Sequence, residues 1–293
     1  MKQFLIFISK IVLITILLAI VLDGLYSAMF IQCKNRNKID QVYNSEGRKY
    51  DVVILGSSRA NNHFVTSMFE DKGLKTFNYG MSGSHLFEAA LMLKLMVERK
   101  YEIKNIILEA DLSLASIDQS EGIAAAFLPY IHNSKVVKEH FQTQKNFNEL
   151  YYIPFYRYIK FETKIGFREM FFNIIHKRTS SLDNGGYYEL VGVENGNMKN
   201  NIVNLNPLPH NKYYEEIKRI CKKNNINLIT VMTPMCENVV GMNYFEKVKK
   251  AYPEIYNYEN VVKENKYFSS CGHMNGTGSK MFTAKIIKDF FNK

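Results

Sequence analysis

The chain has 293 residues, 46% hydrophobic and 13% aromatic, which is enough to bury a full core and too apolar for a disordered chain. Lys and Arg number 38 against 28 Asp and Glu, a net charge of +10. The basic residues are scattered and form no DNA- or RNA-binding signature, so nucleic acid is not an expected partner.

Residues 4–22 are apolar except for Ser9, Lys10 and Thr15, and a second apolar run covers 25–31 after Asp23-Gly24. That length suffices to span a bilayer. A span over 11–33 would place Asp23 near its middle at a cost of about 2.5–3.5 kcal/mol, whereas one over 4–25 only requires Lys10 to snorkel. The earlier register is the cheaper one. Lys2, Lys10 and the amino terminus favour an inside amino end, against Lys34, Arg36 and Lys38 on the other flank. The rival is a cleaved signal peptide, but the apolar core is long, and Tyr26 and Ala28 fit poorly before a cleavage site. The sequence thus predicts a retained anchor over 1–32, single-pass in the cytoplasmic membrane, with the remaining chain outside the cytoplasm.

Polar residues 33–49 read as a linker, and the folded domain is expected over 50–293. Residues 52–55 are a short apolar run that predicts a strand, and 74–80 and 103–109 read as two more, separated by helical patterns over 61–72 and 86–100. This alternation argues a parallel sheet in an α/β fold. Between about 111 and 211 the rhythm breaks into aromatic clusters (Tyr151, Tyr152, Phe155, Tyr156, Tyr158; Phe167 to Phe172), read as a helical insertion whose aromatic stripes pack against the sheet. The alternation resumes with a helix over 213–225, a strand over 226–232, a helix over 243–251 and a closing helix over 278–291.

Two places carry chemistry. The first strand stops at Gly56-Ser57-Ser58, and ligands bind at the carboxyl ends of strands in such sheets, so Ser58 is either a helix N-cap or a nucleophile with its Oγ at the mouth of the sheet. Before the last helix, His273 lies in a loop that can reach across the strand ends, and its ordinary pKa near 6.5 suits a general base. The nearby Gly276-Thr277-Gly278-Ser279-Lys280 is not a phosphate loop, because Ser279 separates Gly278 from Lys280 and the strand-loop-helix context is missing.

Three blocks in order, Gly56-Ser57-Ser58, Asn78-Tyr79-Gly80-Met81-Ser82-Gly83 and His273-Met274-Asn275-Gly276-Thr277-Gly278, resemble the first, second and fifth blocks of the SGNH/GDSL hydrolase family. The resemblance covers roughly 50–291 apart from the insertion. It implies a three-layer α/β/α sandwich with a flavodoxin-like parallel sheet, Ser58 as nucleophile, His273 as base, and the N–H groups of Ser58 and Gly83 as oxyanion donors.

Asn78, Asp111 and Ser270 are the supporting positions, and the departures concern Ser270 and the stretch ending at Asp111. Ser270 stands three residues before His273, where the family carries Asp, and Leu108-Glu109-Ala110-Asp111 has no Asn to match the third block's oxyanion donor. Losing the orienting carboxylate costs roughly 10⁴-fold and losing one side-chain oxyanion donor about 10²–10³-fold. Three arrangements stay open: a dyad oriented by a backbone carbonyl, a substitute carboxylate such as Asp111 or Glu109, or a weak site. The expected activity is that of an esterase or acyltransferase on O-acyl, chiefly O-acetyl, groups of an envelope or secreted polysaccharide, with a membrane acyltransferase as a further partner. The alternative is a carbohydrate-binding or assembly subunit that keeps the fold without turnover. No cofactor or metal is expected: there is no His-Glu-x-x-His, and Cys33, Cys221, Cys236 and Cys271 are too dispersed for a zinc site. The four cysteines permit disulfides outside the cytoplasm, but their spacing demands none.

Overall fold

The computed structural model describes residues 1–32, 36–193 and 196–292. They form two compact units, Met1–Ser45 with Glu121–Thr179, and Glu46–Ser120 with Ser180–Lys293.

The first unit is helical. Helix α1 (Lys2–Gln32) is long and apolar enough to cross a membrane. It runs through Asp23-Gly24 without a break, because the Asp23 carboxylate is taken up by its surroundings: it accepts from Arg157 Nη2 at 2.7 Å and from the Phe155 N–H at 2.7 Å. The aromatic cluster expected on the sheet packs here instead. Tyr26 meets Phe155 and Tyr158 at centroid distances of 4.9 and 5.1 Å, and Ser27 Oγ lies 2.8 Å from the Tyr158 hydroxyl. Phe167 and Phe171 are exposed rather than packed. Of the expected linker, residues 33–35, with Cys33 and Lys34, lie outside the described residues. Farther on, the same stretch is folded rather than free. Asn37 caps a short helix α2 (Lys38–Tyr43), accepting from the Ile39 and Asp40 N–H groups, and the buried Asp40 carboxylate accepts from the Tyr130 hydroxyl at 2.6 Å.

The second unit is mixed α/β around a parallel sheet of five strands: β1 (Lys49–Leu55), β2 (Thr76–Asn78), β3 (Glu102–Glu109), β4 (Asn227–Met232) and β5 (Tyr256–Asn257), in the order β2-β1-β3-β4-β5. Val52, Val53, Ile54, Ile106, Ile107, Leu108, Val231 and Met232 are completely buried, which is why the central strands read as continuous apolar runs. Each such side chain contributes about 1.5–3 kcal/mol by leaving water. Register pairs Ile54 with Ile107 and Ile107 with Ile229, so the carboxyl ends of β1, β3 and β4 finish together.

Helices α3 (Ser58–His63), α4 (Leu86–Glu98), α5 (Lys212–Lys223), α6 (Asn243–Ala251) and α7 (Gly276–Phe290) follow the expected alternation. The one helix expected over 61–72 is two, α3 and Thr66–Glu70, separated by an extended Phe64. Thr283 on α7 makes the break: its Oγ1 donates to the His63 carbonyl and accepts from the Val65 N–H, satisfying backbone groups that a continuous helix would have paired internally. In the expected insertion, short helices occupy Glu121 to Ile174, whereas 180–211 has little regular structure.

Candidate active site

The strand order reverses beside β1, whose chain continues to β2 on one side while β3 lies on the other. Ligands bind at such points in open α/β sheets, and Ser57 and Ser58, both half-buried, follow the end of β1 there. Gly56 makes the turn possible. It sits at φ +140°, and a Cβ there would approach the Glu109 carbonyl and Oε2 at 2.8 Å and Ala60 Cβ at 2.9 Å. The cap of α3 is Ser57, whose Oγ accepts from the Arg59 N–H. Ser58 is the first helical residue, and its Oγ stands 2.7 Å from His273 Nε2.

His273 is carried by an antiparallel hairpin, β6 (Phe268–Ser270) and β7 (His273–Met274), turned through Cys271 and Gly272 with Gly272 at φ +88°. The tight turn brings Ser270 Oγ to 3.2 Å from His273 Nδ1. For Nε2 to take the Ser58 proton, Nδ1 must carry hydrogen and donate it to Ser270 Oγ. Burial, and then the Arg59 cation, hold the His273 pKa below its ordinary value, so the imidazole is neutral and able to accept a proton at neutral pH.

Neither carboxylate considered as a substitute reaches the imidazole. Asp111 is fully buried and paired with Arg59, accepting from Nη1 at 2.7 Å, from the Leu112 N–H at 2.6 Å and from the Thr233 N–H at 3.0 Å. The second arm of Arg59 donates to the carbonyls of Thr233 and Pro234 at 2.8 and 3.1 Å. One guanidinium therefore ties α3 to the ends of β3 and β4. Glu109 Oε2 accepts from both the N–H and the Oγ of Ser57, at 2.8 and 2.7 Å. Burial and the neighbouring Asp111 charge push the Glu109 carboxyl up to about 8, with Arg59 and Ser57 opposing.

Asn78 is a clasp. Buried at the end of β2, it donates from Nδ2 to the Ala60 carbonyl at 2.7 Å and accepts from the Gly80 N–H at 2.9 Å. The loop that follows is pinned to the turn at Gly56, since the Met81 N–H and Ser84 Oγ both donate to the Gly56 carbonyl, at 3.0 and 2.8 Å. Gly83, inside that loop, has φ +84°, while a Cβ would meet nothing closer than Ser120 Oγ at 3.9 Å. Conformation, rather than crowding, asks for glycine there.

Two supporting features were not evident beforehand. Buried His63 accepts the Met274 N–H at Nε2, 3.1 Å away, and its pKa is driven well down, first by desolvation, so a neutral ring fixes the hairpin. A disulfide joins Cys236, in the loop after β4, to Cys271 in the hairpin turn. Both cysteines lie a few residues from groups already placed at the strand ends, and that proximity was the available signal. The third described cysteine, Cys221, is free and buried, its thiol pushed up to about 12 by desolvation. Among the described residues, no group of three or more His, Cys, Asp or Glu is placed to hold a metal ion. No family model matches the chain, and no curated protein matches it.

Proposed function

We propose that this protein is a membrane-anchored serine esterase or O-acyltransferase of the SGNH/GDSL type. It would act outside the cytoplasm on O-acyl, chiefly O-acetyl, groups of an envelope or secreted polysaccharide. The observation that carries the reading is the 2.7 Å contact between Ser58 Oγ and His273 Nε2 at the carboxyl end of a parallel sheet. The three sequence blocks, the sheet order and the alternation of helices fit a three-layer α/β/α sandwich. The apolar α1 fits a single-pass anchor, Lys2 and Lys10 favour an inside amino end, and the Cys236–Cys271 disulfide fits an oxidising compartment.

In this reading Ser58 Oγ attacks the ester carbonyl while its proton passes to His273 Nε2. The resulting oxyanion is met by the N–H groups of Ser58 and Gly83. The imidazolium then returns the proton to the departing sugar oxygen, leaving an acyl-Ser58. Water releases the acid, or a second hydroxyl takes the acyl group, after deprotonation by the same imidazole. Where a membrane acyltransferase is the donor partner, the group that leaves with the proton is the donor's own acyl-bearing alcohol or thiol, and the sugar hydroxyl is the acceptor.

A second reading, a carbohydrate-binding or assembly subunit, draws on one observation: His273 Nδ1 faces a hydroxyl where a carboxylate would stabilise the imidazolium. The two separate in one assay. Full-length protein in detergent should cleave p-nitrophenyl acetate, with the activity lost in Ser58→Ala. Activity that survives Ser58→Ala contradicts the esterase reading, and a folded but inert parent selects the binding subunit.

A further inference from the structure

One helix of the helical unit keeps polar contacts inside and leaves apolar side chains out. Along the helix Phe167–Ile174, Phe167, Phe171 and Ile174 recur at the spacing of one face, and with Ile175 they are 45–61% exposed. The other side of that helix is polar and occupied: Glu169 Oε2 and Asn173 Oδ1 each accept from Arg36 Nη1 at 3.2 Å. Tyr152 and Ile153 in the same unit are 68% and 49% exposed. A water-facing helix has the opposite polarity, and exposed Phe and Ile recurring along one face mark a surface that something apolar covers.

The position of α1 says what covers it. Residues 2–22 of the helix rise through about 30 Å, the thickness of a bilayer's hydrocarbon core. Immediately after them comes Asp23, held by Arg157 and by the Phe155 N–H, so the loop 151–155 is fastened to the point where the apolar run ends. Ile20, Tyr151 and Tyr152 line one shared cavity at that level. Tyrosines are enriched at this depth, where a ring meets hydrocarbon and a hydroxyl meets water. Beside the exposed stripe, Arg168 and Lys177 lie over the Phe172 ring at 5.8 and 4.1 Å, which sets cations next to apolar surface, as anionic headgroups require.

We infer that the helix Phe167–Ile174 and the loop 151–155 lie in the headgroup region of the bilayer that α1 crosses, with an anionic lipid surface as the partner of this apolar face. The inference rests on the reading of α1 as a retained span. It makes the unit an interfacial foot that fixes the tilt and rotation of the anchor.

The chain contains no tryptophan, so one introduced indole reports a single depth. Full-length protein carrying Phe171→Trp, Tyr152→Trp or Leu13→Trp is reconstituted in vesicles of phosphatidylcholine and phosphatidylglycerol whose acyl chains are brominated near the headgroup or near the chain end. Leu13→Trp should be quenched most by deep bromine. Phe171→Trp and Tyr152→Trp should show blue-shifted emission quenched most by shallow bromine, with the shift reduced in vesicles lacking phosphatidylglycerol. If Leu13→Trp is quenched but both other indoles emit as in water, the foot is refuted while the span stands. Blue-shifted emission that no lipid quenches means a protein covers the face, which also refutes it. An unquenched Leu13→Trp removes the span and the inference together.

Discussion

Charge is handled in opposite ways at the ends of β1 and β3 and in the hairpin that faces them. Around Arg59 and Asp111 charges are buried and paired, with both guanidinium Nη atoms and the carboxylate bonded to each other and to the ends of three elements. In the hairpin the imidazole of His273 has a hydroxyl on each nitrogen and no carboxylate on either. The difference follows from cost. An unpaired buried charge costs several kcal/mol, so the nearest carboxylate goes to Arg59, whereas a neutral imidazole is held by ordinary hydrogen bonds worth about 1 kcal/mol each. The carboxylates at the strand ends build the scaffold, and the imidazole is left neutral.

The largest effects should separate the two regions most sharply. His273→Ala should lower kcat/KM on p-nitrophenyl acetate by about 10²–10⁴-fold with the unfolding midpoint little changed, because a partly exposed base is removed rather than a core group. Asp111→Ala should do the reverse first. It leaves Arg59 buried without its anion, and stability in chemical denaturation should fall by about 3–5 kcal/mol. Comparable stability losses in both variants would erase the distinction.

Glu109→Gln probes the scaffold side by pH. With the carboxyl at about 8 in the folded protein and an ordinary value of 4.5, the folded state holds a proton that the unfolded chain releases between those limits. Its contribution to stability is therefore present at acid pH and is lost as pH rises toward 8, with a slope of up to about 1.4 kcal/mol per pH unit. Gln keeps an acceptor for Ser57 and has no proton to lose, so unfolding midpoints of variant and parent should diverge in the variant's favour between pH 5 and 8. Parallel curves would place Glu109 in its ionised form.

Ser270→Asp probes the hairpin side and should give the smallest effect, a rise in kcat/KM of about tenfold, well short of the ~10⁴-fold worth of an evolved carboxylate. The rate requires neutral imidazole and falls as pH drops through the pKa of His273, which burial and Arg59 hold below 6.5. An added carboxylate favours the imidazolium, so the acid limb of the pH profile should move to higher pH. An unmoved limb would mean that the introduced carboxylate and the imidazole do not meet.

How much of this was legible depended on whether the deciding contact was local. Residues 52–55 declared themselves as an unbroken apolar run, and 103–109 and 226–232 by aliphatic residues around Lys104, Asn105, Asn227 and Thr230, because strands buried on both faces are rich in such side chains. Tyr256–Asn257 did not, being a two-residue exposed edge strand. The break at Phe64 was set by Thr283, more than two hundred positions away in the chain. Position marked Ser58 and His273 only as candidates, one at a strand end and one before the closing helix, and it was the three-block resemblance that set them together. The commitments of Glu109 and Asp111 were hidden, since they follow from the register of β1 on β3, which sets Leu55 against Leu108 and so brings Ser57 to Glu109. Asp23, readable as a cost within an apolar run, became intelligible through Arg157, which lies in the insertion.

The central claim is that His273 activates Ser58, and a fluorophosphonate probe tests it directly, because the reagent phosphonylates a serine whose proton is being removed. Full-length protein in detergent should be labelled, with labelling abolished in Ser58→Ala and strongly slowed in His273→Ala. Folded parent protein that takes no label, or label that persists undiminished in Ser58→Ala, would contradict it.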